Sequence, residues 1–581
     1  MNLVYMYVGR AYCLKQQAFS FDANYCVEWI GEGHLRITYA EVVPARFYKL
    51  RGYASGNVTC ISGLVGANGC GKTSFAHLCC DLASRRAVSG QLVVIFAEQR
   101  KIRVYTRIRN LQVEVVGCTL AANPETEFDF LNALKFVYFS PIYTTEKVLN
   151  QVANQFIDVS TTALLKKSKQ YVSEEMRRTF AVASFLSPRM RKGRIGNLRF
   201  PFPQTVSISV AGSVLGDFKV FLRDRMKRLG EEARNVPQTR VYPRLRAFAG
   251  EILSPEGERC ETLQRLLRRI EKESMVVRLF FSLAAMHWRK SGFLERERAD
   301  GADLELMNCA EALRGCSDVE ALERGRDRFL ECGLIRAGQL FSQLLEIRDG
   351  WRSVKGSLLV NMSDQSVREK FFKIVELHEE FADELGVLKF RNQPRLSSGE
   401  MSLVSMMGRL FSCLPEMDGK DIIIYLDEAE TALHPAWQRE LVWLMIWFVG
   451  VVVPRASVQL IFASHSPIFL SDMPQGNVTY LTRGKSEMGE LPSNTFAGDI
   501  FDLFSQSFFL GDLTTGRFSA EKINDLLRTL RKGKALSAMQ MEVVNLIGDG
   551  YFRRYFLQRC GRYGKDCNSE KSHSASSSNV S

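Results

Sequence analysis

Eight residues near the start of the chain, Gly66-Ala67-Asn68-Gly69-Cys70-Gly71-Lys72-Thr73, have the form G-x-x-x-x-G-K-T. The backbone N–H groups of such a turn converge on phosphate oxygens, and a helix beginning behind it adds a favourable dipole. Lys72 is placed to reach terminal phosphates, and the Thr73 hydroxyl to ligate Mg²⁺; Ser74 belongs to the same stretch. Much later come two neighbouring acids, Asp427 and Glu428, at the end of the apolar run Asp421 to Leu426. In phosphoryl-transfer sites such a pair divides its roles: Asp427 holds Mg²⁺ and Glu428 polarises the attacking water. A further apolar run, Val458 to Ala463, ends in Ser464-His465-Ser466-Pro467, where His465 is positioned to touch a γ-phosphate or the water.

These residues need particular elements behind them. Asn57 to Val65 reads as a strand entering the glycine-rich turn, and Phe75, Leu78, Cys79 and Leu82 follow at helical spacing. The runs before Asp427 and His465 are apolar without alternation, as buried parallel strands are, and ligands gather beyond the carboxyl ends of such strands. The segment Leu396-Ser397-Ser398-Gly399-Glu400 precedes a helical pattern from Met401 to Leu414. There, serine hydroxyls and first-turn N–H groups form an anion site; the plainer alternative is an N-cap supported by Glu400. Taken singly, the acids could end a solvated turn and the histidine could be merely structural. Their order along the chain favours one shared site.

That order resembles the ABC-type ATPase core of the SMC-like, RecF-like and OLD-like families. Asp427-Glu428-Ala429-Glu430-Thr431-Ala432-Leu433-His434-Pro435 is similar to their DEPE-x-x-LHP stretch, with Ala429 in place of proline, and Ala463 to Pro467 to their THSP. Residues 396–400 resemble their signature loop. Met1 to Phe21, Asn494 to Leu503 and Ser507 to Leu510 are similar to the ATPase subunits of Septu and ATPase–HNH retron anti-phage systems. The resemblance implies an α/β, ABC-type P-loop ATPase head split by a long, mostly helical insertion, with a small helical C-terminal piece. It implies ATP and Mg²⁺ as cofactors, and a homodimer or higher oligomer joined through the heads. Each ATP is then clamped between residues 66–74 of one copy and Ser397, Ser398, Gly399 and Glu400 of the other. It also implies a separate HNH-type nuclease subunit and, in retrons, a reverse transcriptase with its RNA–DNA product. Two departures point to slow turnover. Ser398 and Glu400 replace the usual glycine and glutamine, and the strand-like Lys135 to Pro141 offers Ser140 where a Mg²⁺-binding glutamine is expected.

At 581 residues the chain is long enough for several cores. The expected organisation is a first ATPase lobe over 1–155 and an insertion over 156–384. A second lobe follows over 385–495, then a helical region over 496–560 and a disordered tail over 561–581. The longest apolar run, Leu441 to Val453, is too short to span a bilayer. Scattered cysteines without C-x-x-C pairs suit reduced thiols in a cytoplasm.

The insertion carries the chain's charge. Residues 161–250 hold nineteen Lys plus Arg against six Asp plus Glu, an excess equal to the formal +13 of the whole chain. Such a field attracts phosphate backbones, and Phe200, Phe202 and Tyr242 lie nearby for stacking. A solvated helix face or an acidic protein partner fits the same pattern. Glu261 to Lys290 and Asp318 to Arg348 read as a long antiparallel helical arm. Three functions remain compatible: the regulatory ATPase of an anti-phage complex, a DNA-repair or chromosome-maintenance ATPase, and a transporter ATPase. The large basic insertion counts against the last.

Overall fold

The run that leads into the glycine-rich turn and the run that leads into the paired acids are almost wholly buried, and both become central strands of one sheet. The computed structural model describes residues 1–51, 53, 57–66, 69–84, 90–126, 134–144, 155–167, 170–190, 194–195, 198–199, 202–234, 255–270, 272–293, 301–354, 356–382, 386–482, 485–487, 495–499, 503, 517–548 and 550–559. The chain divides into two units, Met1–Gly498 and Asp499–Ser581.

The central sheet has seven strands in the order Phe156–Asp158, Leu134–Phe139, Asp421–Asp427, Ser457–Ser464, Val58–Gly66, Val478–Thr482 and Lys485–Glu487. Neighbours run parallel except the last pair. The strand that ends before His465 therefore lies between the strand that enters the turn and the strand that ends in the acids. Parallel register brings all three carboxyl ends to one edge. The helix Lys72–Ala83 leaves the turn and buries Phe75, Leu78, Cys79 and Leu82.

A second, five-stranded sheet lies across this helix, in the order Leu14–Ser20, Asn2–Ala11, Leu92–Glu98, Lys101–Thr106 and Thr119–Leu120. Period-two alternation gives it two apolar faces. Met6, Val8 and Phe19 share a core with Phe75, Ile423 and Ile461. Val4, Tyr5, Val93 and Ile95 turn the other way, onto a small sheet formed by Tyr25–Gly31, His34–Tyr39 and Gln112–Val116. Where the first strand slips register at Leu3, its backbone is satisfied from the central sheet. Leu3 N–H donates to Gln459 Oε1 (2.8 Å), and Gln459 Nε2 donates to the Leu3 carbonyl (2.9 Å).

Between the two halves of the head lies a body with its own core. Four antiparallel strands, Trp351–Val354, Ser357–Asn361, Thr205–Val210 and Leu388–Gln393, pack against helices 212–234, 255–270, 275–291, 318–331, 335–346 and 365–380. This corrects the expectation of a long arm. Glu261 to Lys290 is two helices, broken where Ser274 caps the second by accepting from Val277 N–H. Asp318 to Arg348 breaks at Gly333, whose φ of 76° suits glycine. The short helices then wrap a shared core around Phe280, Phe329 and Phe341. Phe202 is likewise buried, so it is packing rather than a stacking surface; Phe200 and Tyr242 lie outside the described residues.

The helix Tyr171–Leu186 joins this body to the head. Arg177 pairs with Glu376 on one side; on the other, Glu175 pairs with buried Arg409 (3.3 Å) of the helix Ser398–Phe411. The second unit contains helices Arg517–Arg531 and Ala538–Leu546 and a helical stretch over 550–559, gathered on Leu526, Leu530, Val544 and Phe556. No described helix is long and apolar enough to cross a membrane. Replacing Gln459 by Leu leaves two buried backbone groups unpaired. It is expected to cost about 2–4 kcal/mol of stability, read by denaturant unfolding.

Candidate functional site

The turn is built for close approach. A Cβ on Gly66 would meet the Leu481 carbonyl oxygen at 2.3 Å, and Gly71 begins the helix with φ 112°. Gly69 also has positive φ and Cys70 is buried; Ala67 and Asn68 lie outside the described residues. Ser74 faces Cys13, with Oγ and Sγ 3.1 Å apart. The helix start is fixed from below, because the Tyr425 hydroxyl donates to the Lys72 carbonyl (2.7 Å).

At the sheet edge the expected residues meet in two groups. In the first, Thr73 Oγ1 donates to Asp427 Oδ2 (3.1 Å), and Tyr138 donates to the same oxygen (3.0 Å). Asp427 is only 4 % exposed, and its Oδ1 has no hydrogen-bond partner. Burial pushes this carboxyl up to about 6, against the pull of the Tyr138 and Thr73 hydroxyls. An unpaired carboxylate oxygen beside a threonine hydroxyl is a hard, oxygen-only donor set. It suits Mg²⁺, which keeps most of its shell for water and phosphate.

The second group is Lys72, His465 and Glu428. Lys72 Nζ is 3.1 Å from the Gly66 carbonyl oxygen and 2.7 Å from His465 Nε2, which lies 3.2 Å from Glu428 Oε1. One ring nitrogen cannot accept from Lys72 and donate to Glu428 together, so the proton on His465 decides which neighbour it holds. The His465 hydrogen bond lowers the Glu428 carboxyl below its ordinary range, although partial burial opposes this. Glu428 occupies the left-handed region (φ 51°), a strained position for a residue with a Cβ. Its N–H is tied to the Ala463 carbonyl (2.8 Å), holding the acid turn against the histidine strand.

Residues 397–400 begin a different helix, Ser398–Phe411. Ser397 and Glu400 form a reciprocal capping box: Glu400 N–H donates to Ser397 Oγ (3.3 Å), and Ser397 N–H donates to Glu400 Oε2 (2.7 Å). The plain capping geometry is thus realised. It leaves the first-turn N–H groups of Ser398 and Gly399 outside the helix ladder, with Ser397 and Ser398 exposed. The fold does not gather these four residues into the Lys72 group.

Two contributors were not singled out from the sequence. Tyr138 lies within the strand expected to offer Ser140, yet its own hydroxyl reaches Asp427. Buried Glu430 accepts from Ser464 Oγ (2.5 Å) and from His465 N–H (3.3 Å), fixing the turn that carries the histidine. Period-two alternation along 134–139 would have placed Tyr138 and Ser140 on one side, but not opposite Asp427.

A family model described as "AAA domain, putative AbiEii toxin, Type IV TA system" matches residues 334–471. The match spans the capping-box helix, both acids and His465, and the fold supplies the glycine-rich turn to the same edge. Residues 334–471 are thus similar to an AAA domain, which supports a place among the AAA/P-loop ATPases. No curated protein matches the chain. The P-loop domain's parallel sheet and helices agree with the α/β class expected from sequence.

Tyr138→Phe removes a hydroxyl that draws the Asp427 carboxyl down, so that carboxyl should rise further above its unfolded value. Ionised Asp427 then becomes scarcer as pH falls toward 6. The expected result is about a tenfold higher Mg²⁺ requirement for nucleotide binding, larger at pH 6.5 than at pH 8, measured by titration.

Proposed function

We propose that the chain is an ATP-hydrolysing switch, the regulatory subunit of a bacterial anti-phage complex of the Septu or retron type. The observation that carries the hydrolytic part is the meeting of Thr73 with Asp427, and of Lys72 with Glu428 and His465, at one sheet edge. The first seven residues of the turn and Ser74 cradle the phosphates, with Lys72 at the terminal ones. Thr73 and Asp427 would hold Mg²⁺, which supplies charge neutralisation between the phosphate oxygens. Glu428 orients the attacking water and draws its proton, and His465 positions Glu428 and touches the oxygens of the transferred γ-phosphoryl group, with ADP as the leaving group.

Exposed Ser397 and Ser398, with the first-turn N–H groups of Ser398 and Gly399, suit the γ-phosphate held by a second copy. In that reading ATP joins two heads and hydrolysis parts them, a two-state element biased by one phosphate. Glu400 reinforces the loop that makes this contact. The joined state controls a separate HNH-type nuclease subunit, with a reverse transcriptase and its RNA–DNA product as further partners in the retron case. Support for this finer assignment comes from the likeness of the chain's two ends and from the basic insertion. A DNA-repair or chromosome-maintenance ATPase is the second reading, since it needs the same core residues. Exposed Arg223, Lys227 and Arg228 on the helix Gly212–Arg234 favour nucleic-acid contact in either case.

Glu428→Gln is expected to lower ATP turnover at least a hundredfold while ATP still binds, and to accumulate ATP-dependent dimers in light scattering. Adding Ser398→Arg should return those dimers to monomers. Turnover unchanged by Glu428→Gln would remove that residue from catalysis. Reversing the charges at Arg191, Lys192 and Arg194 should weaken nucleic-acid binding and flatten its salt dependence, measured by fluorescence anisotropy.

A further inference from the structure

The helix Met275–Ser291 carries Leu283, Met286, His287 and Lys290 at i, i+3, i+4 and i+7, which sets all four on one face. That face does not close on its neighbour. Opposite it, Gly333 turns the chain through the left-handed region and the helix Ile335–Glu346 begins. A cavity of about 490 Å³ lies between them. This is within the usual range for small-molecule sites, and its walls share no residue with the phosphate loop.

The lining is divided by chemistry. Leu283, Met286 and Ile335 make an apolar wall, while His287, Lys290 and Arg336 bring basic groups; no acidic side chain lines the cavity among the described residues. His287 Nε2 lies 3.3 Å from the buried Asp303 carboxylate. The Arg336 guanidinium carbon sits over the Phe381 ring, 3.7 Å from its centre. The helix entering the cavity has no side-chain cap at Leu334. The N–H groups of Ile335 and Ala337, in its first turn, therefore add positive potential to a wall already basic.

We propose that this cavity is a second ligand site, for an organic anion of roughly nucleotide size. The ligand's flat apolar body rests on Leu283, Met286 and Ile335. Its phosphate or carboxylate head is held by Lys290, Arg336 and the start of the helix Ile335–Glu346. An apolar wall beside groups of one charge sign selects an amphipathic anion over either a neutral hydrophobe or a bare ion. Because the cavity belongs to the insertion body, the site stands whether or not the head hydrolyses ATP.

The test uses the full chain, saturated with ADP, and titrates 8-anilinonaphthalene-1-sulfonate, a flat apolar body bearing one anionic group. The expected result is a saturable site whose affinity falls at least tenfold in Lys290→Glu and in Arg336→Glu, with no change in Lys72→Ala. AMP should displace the dye in the presence of ADP, with uncharged adenosine at least tenfold weaker. Equal dye affinity in wild type and Lys290→Glu would overturn the proposal, as would dye binding that Lys72→Ala abolishes. If Arg336→Glu lowers the melting temperature through loss of its contact with Phe381, exposed Lys290→Glu decides alone.

Discussion

One carboxylate holds the head's chemistry together. Asp427 Oδ2 accepts from Thr73, at the start of the loop helix, and from Tyr138, on the neighbouring strand. Three segments distant in sequence are thereby fixed around a buried group whose second oxygen has no partner. A buried, incompletely paired carboxylate is unfavourable unless a cation or proton compensates it. Burial therefore raises its affinity for a proton, and the same field favours a divalent cation. The sheet makes this juxtaposition unavoidable, because parallel register aligns the ends of 58–66, 457–464 and 421–427. The strained turn at Glu428 then directs the next carboxylate toward His465 instead of back along the strand.

The site reaches the insertion through packed and charged contacts. Arg409, on the helix that begins at Ser398, pairs with Glu175 and donates to Thr161 Oγ1 (2.8 Å), just beyond the Leu134–Phe139 and Phe156–Asp158 strands. Glu175 belongs to the helix whose first N–H groups, at Val172 and Ser173, are received by Glu379 of the insertion body. The helix that begins at the exposed serines and the insertion body are thus joined through the one helix Tyr171–Leu186.

Much of the site was legible because its residues sit at strand and helix ends, where local pattern is strongest. Continuous apolar runs identified the strands before Asp427 and His465, and helical spacing behind Lys72 identified the loop helix. Pattern could not give the order of strands. That the histidine strand lies between the other two depends on which faces bury best together, and this order explains why one imidazole meets both Lys72 and Glu428. Tyr138 escaped for the same reason, since its partner lies on a strand nearly three hundred residues away. The arm was misread because periodicity reports a helix without reporting its breaks. Ser274 and Gly333 were the available signals, and each marks a break between two helices. The insertion's sheet was hidden in short strands, and Thr205–Val210 finds its partners far along the chain, at Ser357–Asn361 and Leu388–Gln393.

The central claim is that Thr73 and Asp427 form one cation-dependent nucleotide site with Lys72. Calorimetric titration of the full chain with ATP, with and without Mg²⁺, tests it most directly when repeated on Thr73→Val, Asp427→Asn and the double variant. Mg²⁺ should tighten ATP binding at least tenfold in the wild type. Either single substitution should remove most of that gain, and the double variant should lose little more than either single one. Equal ATP affinity with and without Mg²⁺, or losses that simply add, would contradict a shared site.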